Sequence, residues 1–204
     1  MKIRRIINET LTSEYYTEKR KEFQNEPRSS GRIIFLGNSL TEGFNLDILG
    51  DSTLINRGIS GDFTEGVVKR IDEVISLKPS KLFIEIGIND LIEKISVREI
   101  CRNYEQIIER VQKACPFTKI YIQSLLPVHL QGSFVTSNED VNEVVREQNV
   151  ALKALADKMN VPFIDLYSHF VVNNEMNPRL NYDGVHLVNE GYAIWKDVIS
   201  SYLK

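Results

Sequence analysis

Four short segments of this 204-residue chain carry side chains that could do acyl-transfer chemistry. Ser39 ends the apolar run Ile33-Ile-Phe-Leu-Gly-Asn-Ser and precedes Leu-Thr-Glu, a helix start. A serine at a strand-to-helix turn has its hydroxyl at the sheet edge. Its own N–H belongs to the unsatisfied first turn of the helix, where the dipole favours developing negative charge. That geometry suits a nucleophile, and it equally suits a plain N-cap. A serine also needs a base to take its proton, and the base needs a third group to orient it. Of the three histidines, His169 in Tyr167-Ser-His-Phe reads as a packed or loop residue, and His129 follows Pro127 in a loop where it can border a pocket. His186 stands in Asp183-Gly-Val-His. There the carboxylate three residues earlier can reach back across the glycine turn to Nδ1–H and leave Nε2 free for the serine. Taken alone, the same tetrapeptide is also a capped turn entering the last helix.

Acyl transfer requires donors where the oxygen of the tetrahedral intermediate will sit. Gly58, after Leu54-Ile-Asn-Arg, offers a backbone N–H with nothing on Cβ to block a substrate, and Asn89 in Gly87-Ile-Asn-Asp offers a side-chain amide. Singly, the first is a turn glycine and the second an Asx-turn or cap. A serine, a glycine, an asparagine and an Asp-x-x-His in this order, all just past apolar runs, are harder to dismiss.

The elements that must position them are legible as alternation. Five apolar, β-branched runs recur at Arg32-IIFLG, Thr53-LINRG, Lys81-LFIEIG, Lys119-IYIQSLL and Val161-PFIDL. Between them, Val67, Ile71, Val74 and Ile75 follow a helical period, as do Ile100, Tyr104, Ile107, Ile108 and Val111, and then Val141, Val144 and Val145 with Leu152, Leu155 and Ala156. Continuous apolar strands alternating with amphipathic helices predict an α/β fold, a five-stranded parallel sheet covered on both faces as a three-layer α/β/α sandwich. In such sheets ligands bind outside the carboxyl ends of the strands, which is where the candidate residues fall. Residues 13–25 predict a charged helix whose Tyr15, Tyr16 and Phe23 dock on the body or on a second copy of the chain, which leaves a homodimer open. The stretch from Pro127 to Asn138 predicts a long loop at the same edge. Its His129 and Phe134 either shape the substrate pocket or belong to a solvated Ω-like loop. With no repeats and no linker, residues 1–204 read as one domain, residues 1–30 being a helical extension packed on it.

Composition narrows the partners. Twenty-five Lys and Arg against 28 Asp and Glu leave a formal charge of -3 with no basic block, which argues against nucleic acid. No stretch approaches the roughly 20 apolar residues of a membrane span, and the N-terminus has no secretory pattern. Cys101 and Cys115 fall on one predicted helix, roughly 21 Å apart at 1.5 Å per residue, too far to bridge. Two free thiols and no export signal predict a cytoplasmic location. The chain has no His-Glu-x-x-His, no paired Cys-x-x-Cys and no Gly-x-x-x-x-Gly-Lys, so zinc and nucleotide readings lack support and no cofactor or metal is expected.

Taken together, GNSLTEG, NRGISGD, GIND and DGVHL resemble the SGNH hydrolase superfamily, the GDSL-type esterases and lipases, over residues 33 to about 203. Within it the chain is most similar to the branch of platelet-activating-factor acetylhydrolase catalytic subunits and bacterial carbohydrate or sialate O-acetylesterases. The resemblance implies a flavodoxin-like core, Ser39 as nucleophile, and His186 with Asp183 as base and partner. It also implies Ser39 N–H, Gly58 N–H and the Asn89 amide as oxyanion donors. One residue departs from the pattern. Asn38 stands where the family usually has aspartate, keeping an acceptor but losing the charge, and we take it with His129 and Phe134 as a candidate substrate contact. The implied activity is hydrolysis of a short acyl ester, acetyl above all, on a small-molecule or carbohydrate substrate. The alternatives are a lipase- or thioesterase-type acylhydrolase and a non-catalytic carbohydrate-binding relative.

Overall fold

The computed structural model describes residues 2–26, 30–132 and 141–204. Two helices come first, α1 (Lys2–Leu11) and α2 (Glu14–Asn25), followed by β1 (Ile33–Gly37), α3 (Ser39–Glu42), β2 (Leu54–Gly58) and α4 (Thr64–Ile75). The middle of the chain forms β3 (Lys81–Glu85), α5 (Ile88–Ile92), α6 (Val97–Ala114), β4 (Lys119–Gln123) and α7 (Val141–Met159). β5 (Phe163–Ile164), α8 (Tyr167–Phe170), the pair β6 (Val171–Val172) and β7 (Glu175–Met176), and α9 (Asn189–Ile199) complete it.

β1 to β5 form one parallel sheet in the order β2-β1-β3-β4-β5. All five predicted strands are present. The fifth is shortened to two residues because Pro162 cannot donate to a ladder. Ile34, Leu36, Leu82 and Ile84 are fully buried and alternate with Phe35, Phe83 and Tyr121, which stack across three neighbouring strands at centroid distances of 4.9 and 4.6 Å. Alternation places these two sets on opposite faces. α4, α6 and α7 pack side by side. On the aromatic face Phe44 meets Phe35 and Trp195 of α9, whose indole N–H donates to Gln123 Oε1 at 2.8 Å. This sheet order reverses direction between β1 and β3, so the loops that follow those two strands border the switch point.

The N-terminus forms two helices where the sequence predicted one. α1 turns Ile7 into the core beside Ile6 and Leu11, an i, i+1, i+5 set on one helix face. α2 is capped by Ser13, whose Oγ accepts from Tyr16 N–H. It docks on its own chain: Tyr16 is buried and donates to Asp62 Oδ1 at 3.2 Å, and the Arg57 guanidinium lies 4.5 Å from the Phe23 ring centroid. β6 and β7 were also unforeseen. They join through Asn173 and Asn174 at φ 53° and 66°, the left-handed pair of a two-residue hairpin turn that asparagine tolerates.

Buried ionisable side chains lie under the carboxyl ends of the strands, and two of them, Arg70 and Glu85, bear directly on stability. Arg70 of α4, 1% exposed, donates through Nε to Asp62 Oδ2 at 2.8 Å and through Nη2 to the carbonyls of Gly37 and Arg57 at 3.1 and 2.9 Å. It ties the last residue of β1, the end of β2 and the following loop to one guanidinium. Arg70→Met would strand Asp62 as an uncompensated buried anion, and we expect a loss of about 3–5 kcal/mol in urea unfolding. Adding Asp62→Leu should recover much of that loss.

Glu85, the last residue of β3, is the second. It is fully buried with no hydrogen-bond partner on either oxygen among the described residues, and burial pushes its carboxyl up to about 8. A glutamate in the unfolded chain titrates near ~4.3. Between these values the folded state keeps a proton the unfolded state has released, so stability falls as pH rises through that window. Glu85→Gln removes the effect. Its stability advantage over the parent should widen from pH 5 to pH 8 by roughly 3–4 kcal/mol, and equal midpoints at both pH values would contradict a protonated Glu85.

Candidate active site

The position of Ser39, the candidate nucleophile, follows from local backbone chemistry. β1 ends at Gly37, and Asn38 caps α3 by accepting Leu40 N–H on Oδ1 at 2.9 Å, so Ser39 is the first helical residue. Its N–H has no acceptor among the described residues. Asn38 is fully buried and presents no surface to a substrate, so its candidacy as a substrate contact is corrected to that of a cap. The acceptor it shares with aspartate is the part in use.

Asp183 to His186 form a self-contained turn. Asp183 Oδ1 accepts the N–H of Val185 at 3.0 Å and of His186 at 2.8 Å, while Oδ2 lies 2.6 Å from His186 Nδ1. Burial pushes the Asp183 carboxyl up, but the His186 N–H, its imidazole and the Val185 N–H outweigh this and hold it below the usual value. An ionised carboxylate only accepts, so Nδ1 carries the proton and Nε2 is left as an acceptor. Nε2 lies 2.8 Å from Ser39 Oγ. The 147 residues separating serine and base are bridged by the docking of this turn. Gly184, at φ 104°, accepts His129 N–H on its carbonyl at 2.8 Å, and a Cβ there would fall 2.7 Å from His129 O.

His129 therefore has a different place from the one expected. Its Nδ1 lies 3.0 Å from Glu175 Oε2 and its backbone braces the Asp183 turn. It does not line the cleft at Ser39. Phe134 lies outside the described residues. His169 is exposed on α8.

The second correction concerns Gly58. Its N–H already donates to Asn56 Oδ1 at 2.8 Å, and it is buried under α3, where a Cβ would sit 2.2 Å from Glu42 N and 2.7 Å from Asn38 O. This glycine permits the close approach of the nucleophile's helix to β2 and has no donor to spare. Three residues on, Gly61 is exposed at φ 78°, and its N–H has no acceptor among the described residues. The connection carrying it is anchored by Ile59 N–H on Gly37 O at 3.1 Å, beside the residue pair that leads into Ser39. Asn89 donates one amide hydrogen to Asp62 O at 2.9 Å. An amide has two, and the other has no acceptor among the described residues. Arg-Gly-Ile-Ser-Gly-Asp holds two glycines that the sequence does not tell apart, and in the structure only the second lies beyond the last ladder position.

Ser39 and His186 line a cleft of about 510 Å³ with Tyr15, Glu42, Ser60, Tyr182, Asn189 and Tyr192 among its walls. Tyr182, 69% exposed, has its ring over the imidazole at 5.8 Å. A separate cavity of about 580 Å³ between α7 and β5 includes Ser124, but that Oγ accepts the N–H groups of Leu166 and Tyr167 at 2.8 Å each and faces no base. No group of three or more His, Cys, Asp or Glu among the described residues is placed to hold a metal ion.

Comparison with known proteins gives the family, and the curated relatives carry a different name. The model of the GDSL-like lipase/acylhydrolase family matches residues 35–194. A Streptococcus pneumonia structure provisionally named a platelet activating factor is 26% identical, with a TM-score of 0.86 over 98% of this chain and 97% of the other. A GDSL-like lipase from Bacteroides thetaiotaomicron VPI-5482 is 26% identical, with a TM-score of 0.82 over 92% and 96%. The chain is also 26% identical over 194 residues to the N-acylneuraminate cytidylyltransferase of Escherichia coli O18:K1:H7 (strain RS218 / NMEC), which is 92% of this chain and 43% of that protein. The chain thus spans less than half the length of the curated relatives it matches.

Proposed function

The chain belongs to the GDSL-like lipase/acylhydrolase family, and from that premise we propose that it is a serine esterase acting on short acyl esters of a sugar, acetyl esters first. The observation that carries the reading is the unbroken hydrogen-bonded line from Ser39 Oγ through His186 to Asp183, at 2.8 and 2.6 Å. His186 Nε2 takes the Ser39 proton as Oγ bonds to the ester carbonyl carbon, and Asp183 stabilises the imidazolium. The carbonyl oxygen becomes an oxyanion held by the N–H groups of Ser39 and Gly61 and by the second amide hydrogen of Asn89. Collapse breaks the bond to the alcohol, which leaves with the proton from His186. Water, deprotonated by the same imidazole, then releases the acid from acyl-Ser39.

The substrate reading rests on the cleft and on a relative's name. Three tyrosines, a glutamate, Ser60 and Asn189 make polar walls, which fit a hydroxylated alcohol better than an alkyl chain. The curated relative acts on N-acylneuraminate by name, so acylated N-acylneuraminates head the candidates. A long-chain lipase or thioesterase would need an apolar channel at Ser39. A non-catalytic sugar binder would have no use for a base aligned on a serine.

A fluorophosphonate should add once, to Ser39, as read by intact mass and peptide mapping, and Ser39→Ala should abolish both labelling and hydrolysis with the fold unchanged. Well-folded protein that takes no label would sink the proposal. Asn89→Ala should lower kcat by about 10²–10³. Among nitrophenyl esters acetate should be turned over fastest and palmitate hardly at all, and acetate should be released from O-acetylated N-acylneuraminates.

A further inference from the structure

α2 reaches the catalytic cleft. The Tyr15 hydroxyl donates to the Glu42 carboxylate, 2.5 Å from Oε1 and 2.6 Å from Oε2, and Lys19 Nζ lies 3.1 Å from Oε1. The same carboxylate accepts twice from Ser60 on Oε2, from its N–H at 2.7 Å and its Oγ–H at 2.6 Å. Glu42 is the last residue of α3, whose first is Ser39, and its backbone N–H donates to Asn38 O at 2.8 Å. Ser60 directly precedes Gly61. One carboxylate therefore joins three pieces of chain: the N-terminal helix, the nucleophile's helix and the loop with the uncommitted N–H. Burial pushes the Glu42 carboxyl up, but hydrogen bonds from Ser60, Tyr15 and Lys19 outweigh it and hold it below the usual range, so it stays an acceptor at neutral pH.

Gly61 has no side chain with which to fix its own orientation, and its exposed φ 78° conformation is one that glycine leaves readily. On its far side the loop is held by Asp62 N–H on Ile59 O at 3.1 Å and by the Asn89 amide on Asp62 O. On its near side Ile59 N–H is held by Gly37 O at 3.1 Å, and Ser60, the residue adjoining Gly61, is held by Glu42. An oxyanion donor works only when aimed at where the charge develops, within 2.7–3.1 Å, so freedom on the near side would translate into lost transition-state binding.

We propose that Glu42 is a positioning residue: held by Tyr15 and Lys19 of α2, it fixes Ser60 and so aims the Gly61 N–H at the oxyanion, which makes α2 a working part of the catalytic site. The role assigned to Gly61 rests on the esterase reading above; the bracing of the loop does not. Tyr15→Phe removes one hydroxyl and keeps the ring. Glu42→Gln keeps the size and turns one acceptor into a donor facing other donors. With 4-nitrophenyl acetate we expect kcat to fall about fivefold in Tyr15→Phe and about thirtyfold in Glu42→Gln, with KM within twofold, the signature of an interaction made only in the transition state. Affinity for a boronic acid that mimics the tetrahedral intermediate should fall by the same factors.

Amide hydrogen exchange reads the bracing without any substrate: Ser60 N–H should exchange about tenfold faster in both variants, while β3 amides are unchanged. Folded variants with parental kcat and parental Ser60 exchange would overturn the proposal. A parent protein that hydrolyses nothing and takes no fluorophosphonate, while the variants still speed Ser60 exchange, would leave the bracing standing and overturn the esterase reading instead.

Discussion

The catalytic edge depends on one buried ion pair. Arg70 and Asp62 are both withdrawn from solvent, at a desolvation cost that an ion pair alone does not always offset. The geometry supplies more than the pair: the guanidinium also satisfies the carbonyls of Gly37 and Arg57, and Asp62 accepts from Tyr16 and from Phe63 N–H. Those carbonyls lie at the ends of neighbouring strands, where Gly37 O also accepts Ile59 N–H at 3.1 Å, so the guanidinium adds its bonds at the point where the ladder stops. A single cation thus lets β1 and β2 end in a dry interior and release the chain into Ser39 on one side and Gly61 on the other. Asp62 O is in turn the acceptor for Asn89, so the donor set and the strand ends share one anchor.

The proposed triad solves its alignment problem by making two of its three members local. Asp183 and His186 are fixed to each other inside a four-residue turn by two backbone and one side-chain hydrogen bond, and this set needs no distant element to hold the imidazole in its tautomer. The bond from Nε2 to Ser39 is the one that crosses the fold to the serine. Its length is set by how the turn sits against the loop after β4, where His129, Gly132 and Gly184 approach backbone to backbone. The three-dimensional structure therefore has to get one rigid-body placement right, and the rest is sequence-local chemistry.

That division explains how much could be read from the chain. The five strands were legible because each is built on a short apolar, β-branched run, as a sheet buried on both faces requires. Asp183 with His186 was legible because the spacing is the mechanism. Ser39 was legible as a helix start. What was not legible is pairing at a distance. Gly58 and Gly61 look alike in Arg-Gly-Ile-Ser-Gly-Asp until Asn56 is seen to take the N–H of the first. His129 looked like a pocket residue until Glu175, 46 positions later, was found beside it. Tyr15 looked like a docking aromatic, and its hydroxyl proves to end on Glu42. α1 was lost because its apolar set, Ile6, Ile7 and Leu11, is too short to show a period, while β6 and β7 carried their signal in the Asn-Asn turn.

The substitution of Asn38 for the usual aspartate can be weighed in the same terms. The side chain's use here is to accept Leu40 N–H at the start of α3, and an amide oxygen does that as well as a carboxylate does. Its Nδ2 pays a penalty, since it is buried with no acceptor among the described residues, and an unmet buried donor costs about 1–3 kcal/mol. An aspartate would lack that donor but add a negative charge to an interior that already encloses Asp62, Glu85 and Asp90. Only Asp62 among these has a buried cation beside it. Glu85 and Asp90 are already pushed up to about 8 and about 7 by burial, so a further carboxylate would be drawn toward its neutral form, in which one oxygen becomes a donor with the same unmet demand. With Arg70 already committed to Asp62, asparagine and aspartate at position 38 differ less in this chain than their formal charges imply, and the capping oxygen is the feature both retain.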